Sequence, residues 1–244
     1  MTPHLKPEPF NEYFSDWLKL YKTSISGNTM ERYLNTLETI QDHFGSMPIQ
    51  KISKRTYQAF LNGYARTRTK ETTRKLNSHI RSCVKDTIDE GVISKDFTRG
   101  VVLSGGVQAK KAEDKHLSYF DSKRLLRELK NNLATTTHYL LLLGLTSGLR
   151  FAELVGLTRK DFNFRKSEIS INKTWGYTKK MHEGFGSTKN EQSNRVIKMD
   201  SATMNIFKIW FDSSPDNIHR LVFFSPNSKY KDPEIIRTLE FVEA

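Results

Sequence analysis

Between Tyr139 and Leu145 the sequence is apolar on every face that a helix could present, with Leu140, Leu141, Leu142 and Leu143 in a row and only Gly144 interrupting. A helix that is hydrophobic all round belongs inside a core, so a domain has to form around this segment. Ser147 and Gly148 mark a turn, and a second short helix begins at Arg150, with Glu153 one helical turn further on. Arg150 is thereby held at the edge of a core. A guanidinium in that position is costly unless an anion meets it. Two readings of these residues stand side by side. One is an Arg150–Glu153 surface pair of little energetic weight, and the other is a phosphate-binding group that Glu153 supports.

The 244 residues suffice for two domains of ordinary size. A formal net charge of +12 favours a polyanionic partner, nucleic acid before an anionic membrane. No run of about eighteen apolar residues is present, and the first residues, Met1 to Lys6, lack the apolar stretch of a signal peptide. The membrane and secreted classes recede, and a cytosolic protein is expected. The single cysteine, Cys83, excludes an intramolecular disulfide and a cysteine-rich zinc site, while the seven histidines are scattered without metal-ligand spacing. Neither a metal nor another cofactor is expected.

The first half of the chain reads as helices. Phe10, Tyr13, Phe14, Trp17, Leu18 and Tyr21 fall at helical spacing, and Met30, Tyr33, Leu34, Leu37, Ile40 and Phe44 form a second stripe that stops before Gly45. Ser53 can cap a third helix carrying Tyr57, Phe60, Leu61 and Tyr64. A fourth spans about Lys70 to Glu90, with Leu76, Ile80, Cys83 and Thr87 facing inward. Lys70, Arg74, Asn77 and Arg81 are spaced four, three and four apart and share another face. That stripe is either a solvated basic face or one that reaches DNA phosphates and base edges, and Arg66 and Arg68 add cations just before it. From Thr98 to His116 the pattern dissolves around Gly105 and Gly106, which predicts a helical domain over 1–105 and a linker over 106–117.

A mixed domain over 118–244 is expected to follow. Ser118 to Asp121 reads as a capping box before a helix with Leu125, Leu126 and Leu129 inward. After the apolar helix and its turn, Glu168 to Trp175 alternates as a strand, Arg195 to Met199 reads as another, and Leu221 to Phe224 forms a third apolar run. A helix is expected around Ala202 to Phe211. The fold class is mostly α with a small antiparallel sheet: a four-helix domain followed by an α+β domain.

The segment Thr146-Ser147-Gly148-Leu149-Arg150, continued by Glu153 and the spacing of Leu154 and Leu157, resembles the first arginine box of the tyrosine recombinases, the phage and transposon integrases. Ser187 to Lys198, with Lys189 followed by Ser193-Asn194-Arg195, resembles that family's β-hairpin. The domain order also agrees, a four-helix core-binding domain of SAM-like type before the catalytic one. The resemblance implies attack on a DNA phosphodiester by a tyrosine, at a transition state whose charged oxygens suit a planar guanidinium. It implies Arg150 as that group, Glu153 as its support and Lys189 as general acid toward the leaving oxygen, with Lys179 and Lys180 as competing lysines on the same loop. Lys70, Arg74, Asn77, Arg81, Arg66 and Arg68 become candidate DNA contacts. The implied partner is double-stranded DNA in a bacterial cytoplasm or on its nucleoid, without a membrane.

The sequence also departs from the family. The pattern His-x-x-Arg occurs nowhere in it, and the last tyrosine, Tyr230, lies in a polar stretch read as a loop. This chain is therefore expected to bind DNA and position a scissile phosphate without cleaving it. The intact family acts as a tetramer on DNA, whereas a monomer is expected here because the segment that links protomers is not recognisable. A stand-alone DNA-binding module or regulator is the alternative reading.

Overall fold

The computed structural model describes residues 7–111, 113–177, 184–214 and 216–223. The chain divides into two compact units, Met1–Lys115 and His116–Ala244.

The first unit is built from four helices: α1 (Phe10–Tyr21), α2 (Gly27–Phe44), α3 (Lys54–Ala65) and α4 (Lys70–Asp89). Capping hydroxyls set two of the starts. Ser53 Oγ accepts the Thr56 N–H at the head of α3, and Thr69 Oγ1 accepts the Thr72 N–H at the head of α4. Glycines set two of the ends, Gly45 after α2 and Gly91 after α4, both at positive φ. The core is dense in aromatic rings: Phe10 meets Phe14, Phe44 and Phe97 edge-on, with ring centroids 5.6 to 6.2 Å apart. Gly106 and Val107, expected in the linker, are bound to the α3–α4 turn, their N–H groups donating to the carbonyls of Ala65 and Arg68. A Cβ on Gly105 would lie 2.1 Å from the Lys70 nitrogen, and one on Gly106 would lie 2.2 Å from the Arg66 oxygen. Both glycines are needed for that close approach.

The second unit is organised on α6 (Thr136–Ser147), the apolar helix, whose Leu140, Leu142 and Leu143 are buried. Around it lie α5 (Tyr119–Asn131), the short α7 (Phe151–Val155) and α8 (Ser201–Ser213). Ser118 Oγ accepts the Asp121 N–H and caps α5, and Gly148, left-handed at φ 64°, ends α6. A three-stranded antiparallel sheet runs in the order β1 (Phe162–Asn163), β2 (Glu168–Ile171), β5 (Arg195–Lys198). The strand expected over Glu168 to Trp175 is divided: β3 (Thr174–Trp175) leaves the sheet and pairs with β4 (Phe185–Gly186) instead. The break falls where Lys173 turns back to a buried ion pair with Asp161. In the apolar run near the end of the described residues, Leu221 makes an isolated bridge to Thr158, while Leu221, Val222 and Phe223 enter the core. Phe224 and Tyr230 lie outside the described residues.

Two architectural facts place the arginine box. Gly148 allows the chain to reverse after α6, so that Leu149 is buried and Arg150 emerges at the head of α7. Gly156, one residue past α7, lies against β3: a Cβ there would stand 2.8 to 2.9 Å from backbone atoms of Thr174 and Trp175. The absence of a side chain at 156 is what lets α7 pack on that hairpin.

Candidate functional site

Arg150 precedes α7, and Glu153 sits at its third position. One Glu153 carboxylate oxygen accepts the Arg150 backbone N–H at 3.0 Å, closing the start of the helix, while the other accepts from the Arg150 guanidinium at 2.9 Å. A second guanidinium reaches the same carboxylate. Arg195 donates to Glu153 Oε2 at 2.8 Å and to Oε1 at 3.3 Å, and it also donates to the Ser193 carbonyl at 2.9 Å. The Glu153 side chain is 2% exposed, Arg195 is 32% exposed and Arg150 is 62% exposed. One buried anion is thus shared by two cations, the outer of which faces solvent.

The electrostatics follow from that count. Burial pushes the Glu153 carboxyl upward, but the hydrogen bonds from Arg195, from the Arg150 backbone and from the Arg150 side chain outweigh it and pull the pKa to about 2. The Arg195 guanidinium is correspondingly raised, chiefly by its hydrogen bonds to Glu153. The carboxylate stays ionised and the cluster keeps one positive charge in excess. Such a cluster can hold an anion against the open face of Arg150.

Arg195 was quoted in the sequence motif but was given no role. Its place comes from strand register: Arg195 opposes Ile171 across the β2–β5 pair, so both side chains share one face of the sheet. Along β5, Arg195 and Ile197 are half-buried while Val196 and Lys198 are exposed. That period of two was the available signal, an arginine on the inward side of a strand that has to find a carboxylate.

Lys189 lies on the connection from β4 to β5, not at the tip of the β3–β4 hairpin, and its side chain is exposed. Its neighbours are fixed. Thr188 Oγ1 donates to the Asn190 carbonyl and to Asn194 Oδ1, both at 2.9 Å, and Ser193 Oγ donates to Asn190 Oδ1 at 2.6 Å. Thr188 and Ser193 are buried. Lys179 and Lys180 fall outside the described residues.

In the first unit, Lys70, Arg74 and Arg81 are exposed on α4, and Arg66 and Arg68 are exposed on the turn before it. Arg74 is paired with Glu71 through two hydrogen bonds of 2.7 Å, and Arg68 lies over the Tyr64 ring at 5.5 Å. Asn77 departs from the expected polar stripe. It is buried, and its Oδ1 accepts a 3.0 Å hydrogen bond from Tyr57 Oη in the core. On a helix with so wide an inward face, position 77 falls on the margin of the apolar side.

Residues 9–65 match the family model described as phage integrase, N-terminal SAM-like domain. The N-terminal domain of the prophage pi2 protein 01 (integrase) from Lactococcus lactis is 32% identical over 41% of this chain and 97% of that one, with a TM-score of 0.40. Across both units, the fold is similar to that of the Tn1549 transposon integrase in complex with a circular intermediate DNA. The TM-score is 0.72 at 18% identity, over 90% of this chain and 72% of that one.

Residues 9–65 are thus a phage integrase N-terminal SAM-like domain, and the fold across both units is that of integrases of known structure.

A lambda integrase dimer bound to a COC′ core site has the same fold, with a TM-score of 0.67 at 11% identity, over 90% of this chain and 58% of that one. No curated protein matches the sequence. Among the described residues no helix is long and apolar enough to cross a membrane, and no group of His, Cys, Asp and Glu side chains is arranged to hold a metal.

Proposed function

We propose that this chain is a member of the tyrosine recombinase, or phage integrase, family that binds duplex DNA and holds one backbone phosphate against Arg150. The observation that carries the reading is the shared carboxylate: Glu153, buried between Arg150 and Arg195, orients a guanidinium that is itself 62% exposed. Arg150 would meet the non-bridging oxygens of a scissile phosphate, Glu153 would fix its rotamer, and Lys189 would protonate the leaving oxygen in the strand-exchange chemistry of the family. Lys70, Arg74, Arg81, Arg66 and Arg68 would bind the DNA backbone from the first unit. Support comes from the excess of cations, +12 overall, and from the DNA present in the integrase structures of similar fold.

The residues also set a limit. His-x-x-Arg occurs nowhere in the 244 residues, so strand cleavage by this chain alone is not part of the proposal. A nicked suicide duplex incubated with the chain should yield no covalent protein–DNA adduct, and the appearance of one would show that these residues include a working nucleophile. Binding itself is tested by fluorescence anisotropy with a labelled mixed-sequence duplex. Arg150→Ala should weaken affinity by about tenfold, the scale of one charge-assisted phosphate contact. Affinity unchanged by that substitution would remove Arg150 from the interface.

A further inference from the structure

We infer that Arg195 is a positioning residue, which sets the rotamer of Arg150 through Glu153 and ties strand β5 to the head of α7; the inference rests on the phosphate-binding reading of Arg150. The geometry supplies the reason. Two of the hydrogen bonds received by the Glu153 carboxylate come from Arg150, backbone and side chain, and two come from the fork of Arg195. A carboxylate held only by Arg150 could rotate with it, because both belong to the same short helix end. A second fork from a different element fixes the carboxylate plane in space, and the Arg150 guanidinium then has one favoured orientation.

The Arg195 guanidinium is anchored on a second side as well. Its guanidinium donates to the Ser193 carbonyl, Ser193 Oγ donates to Asn190, and Thr188 Oγ1 donates to both Asn190 and Asn194. Lys189 lies inside this bonded turn. The path from the lysine-bearing turn to Arg150 therefore runs through Arg195 and Glu153, with the β2–β5 register holding Arg195 opposite the buried Ile171. A lysine at 195 would carry the same charge but would present no planar pair of N–H groups to the carboxylate.

That difference separates positioning from plain attraction to DNA. The test is a double-mutant cycle on duplex DNA affinity with the full chain, in which Arg195→Lys and Arg195→Gln are each made alone and together with Arg150→Ala. Thermal unfolding of every variant serves as the folding control; if Arg195→Gln does not fold, Arg195→Lys carries the test. Both substitutions should weaken binding by about fivefold when Arg150 is present and by less than about twofold when it is absent. Wild-type affinity in Arg195→Lys would overturn the inference, since charge alone would then suffice. So would an undiminished loss in the Arg150→Ala background, which would make Arg195 an independent DNA contact while leaving the phosphate reading of Arg150 intact. If Arg150→Ala itself has no effect, the phosphate reading fails and the positioning role falls with it.

Discussion

Glu153 is a buried carboxylate held by two guanidiniums, and its worth to the fold depends on its charge. Its folded pKa of about 2 lies below the ordinary 4.5, so its contribution to stability is fully present above the ordinary value and is lost as pH falls through the folded one. Glu153→Gln should remove that part of the acid sensitivity. At neutral pH it should also cost about 3 kcal/mol, because two cations are left around a neutral amide. Urea unfolding followed at neutral pH and again in acid measures both effects; equal losses at both pH values would contradict the assignment. How much of this cluster the sequence discloses differs from residue to residue. The Arg150–Glu153 contact follows from i, i+3 spacing on a helix, and the structure has it at 2.9 Å. The contact from Arg195 depends on strand register, which links residues 42 apart and which no local pattern carries. Asn77 shows the opposite limit: its spacing places it near Lys70, Arg74 and Arg81, yet a polar side chain at the margin of an apolar face turned inward because Tyr57 offered a hydroxyl.

At the scale of elements, close backbone approaches matter more than propensity. Gly156 brings α7 onto β3, so Gly156→Ala forces a methyl group into backbone atoms under 3 Å away. It should destabilise the chain by about 2 kcal/mol, as overpacking of a tight site does. The same substitution at Gly63, where a Cβ meets nothing within 4 Å in the last turn of α3, should be neutral or stabilising. Chemical denaturation of the two variants makes the comparison, and a Gly156→Ala protein as stable as the wild type would contradict the packing described here. The helices were readable in advance, since their apolar stripes, capping hydroxyls and terminal glycines are local. α6 was the plainest, because an all-apolar segment has only one place to go. The departure of Thr174 and Trp175 to pair with Phe185 and Gly186 was not readable. The alternation of Ile169 and Ile171 meets a lysine at the next inward position, Lys173, and its destination is a tertiary event, the pairing with a buried Asp161 that also caps Thr158.

At the scale of the whole molecule, charge is the property that leads from fold to function. An excess of twelve positive charges on 244 residues raises the local concentration of any polyanion, and the exposed cations Arg66, Arg68, Lys70, Arg74 and Arg81 are gathered on α4 and the turn before it. If Lys70, Arg74 and Arg81 each touch a phosphate, replacing any one by alanine should reduce the slope of log affinity against log salt by about one. Affinity and slope left unchanged by the substitutions would return that face to solvent. In the absence of DNA, light scattering should show the 244-residue chain as a monomer, and a stable larger species would contradict that expectation.

Under the proposed function the chain binds the DNA backbone through Arg150. The most direct measurement is the salt dependence of its affinity for duplex DNA, recorded for the wild type and for Arg150→Ala. The account predicts tight binding at low salt, a steep decline as salt rises, and for Arg150→Ala a weaker affinity with a slope shallower by about one. Binding that ignores salt, or a variant whose curve superimposes on the wild type, would contradict it.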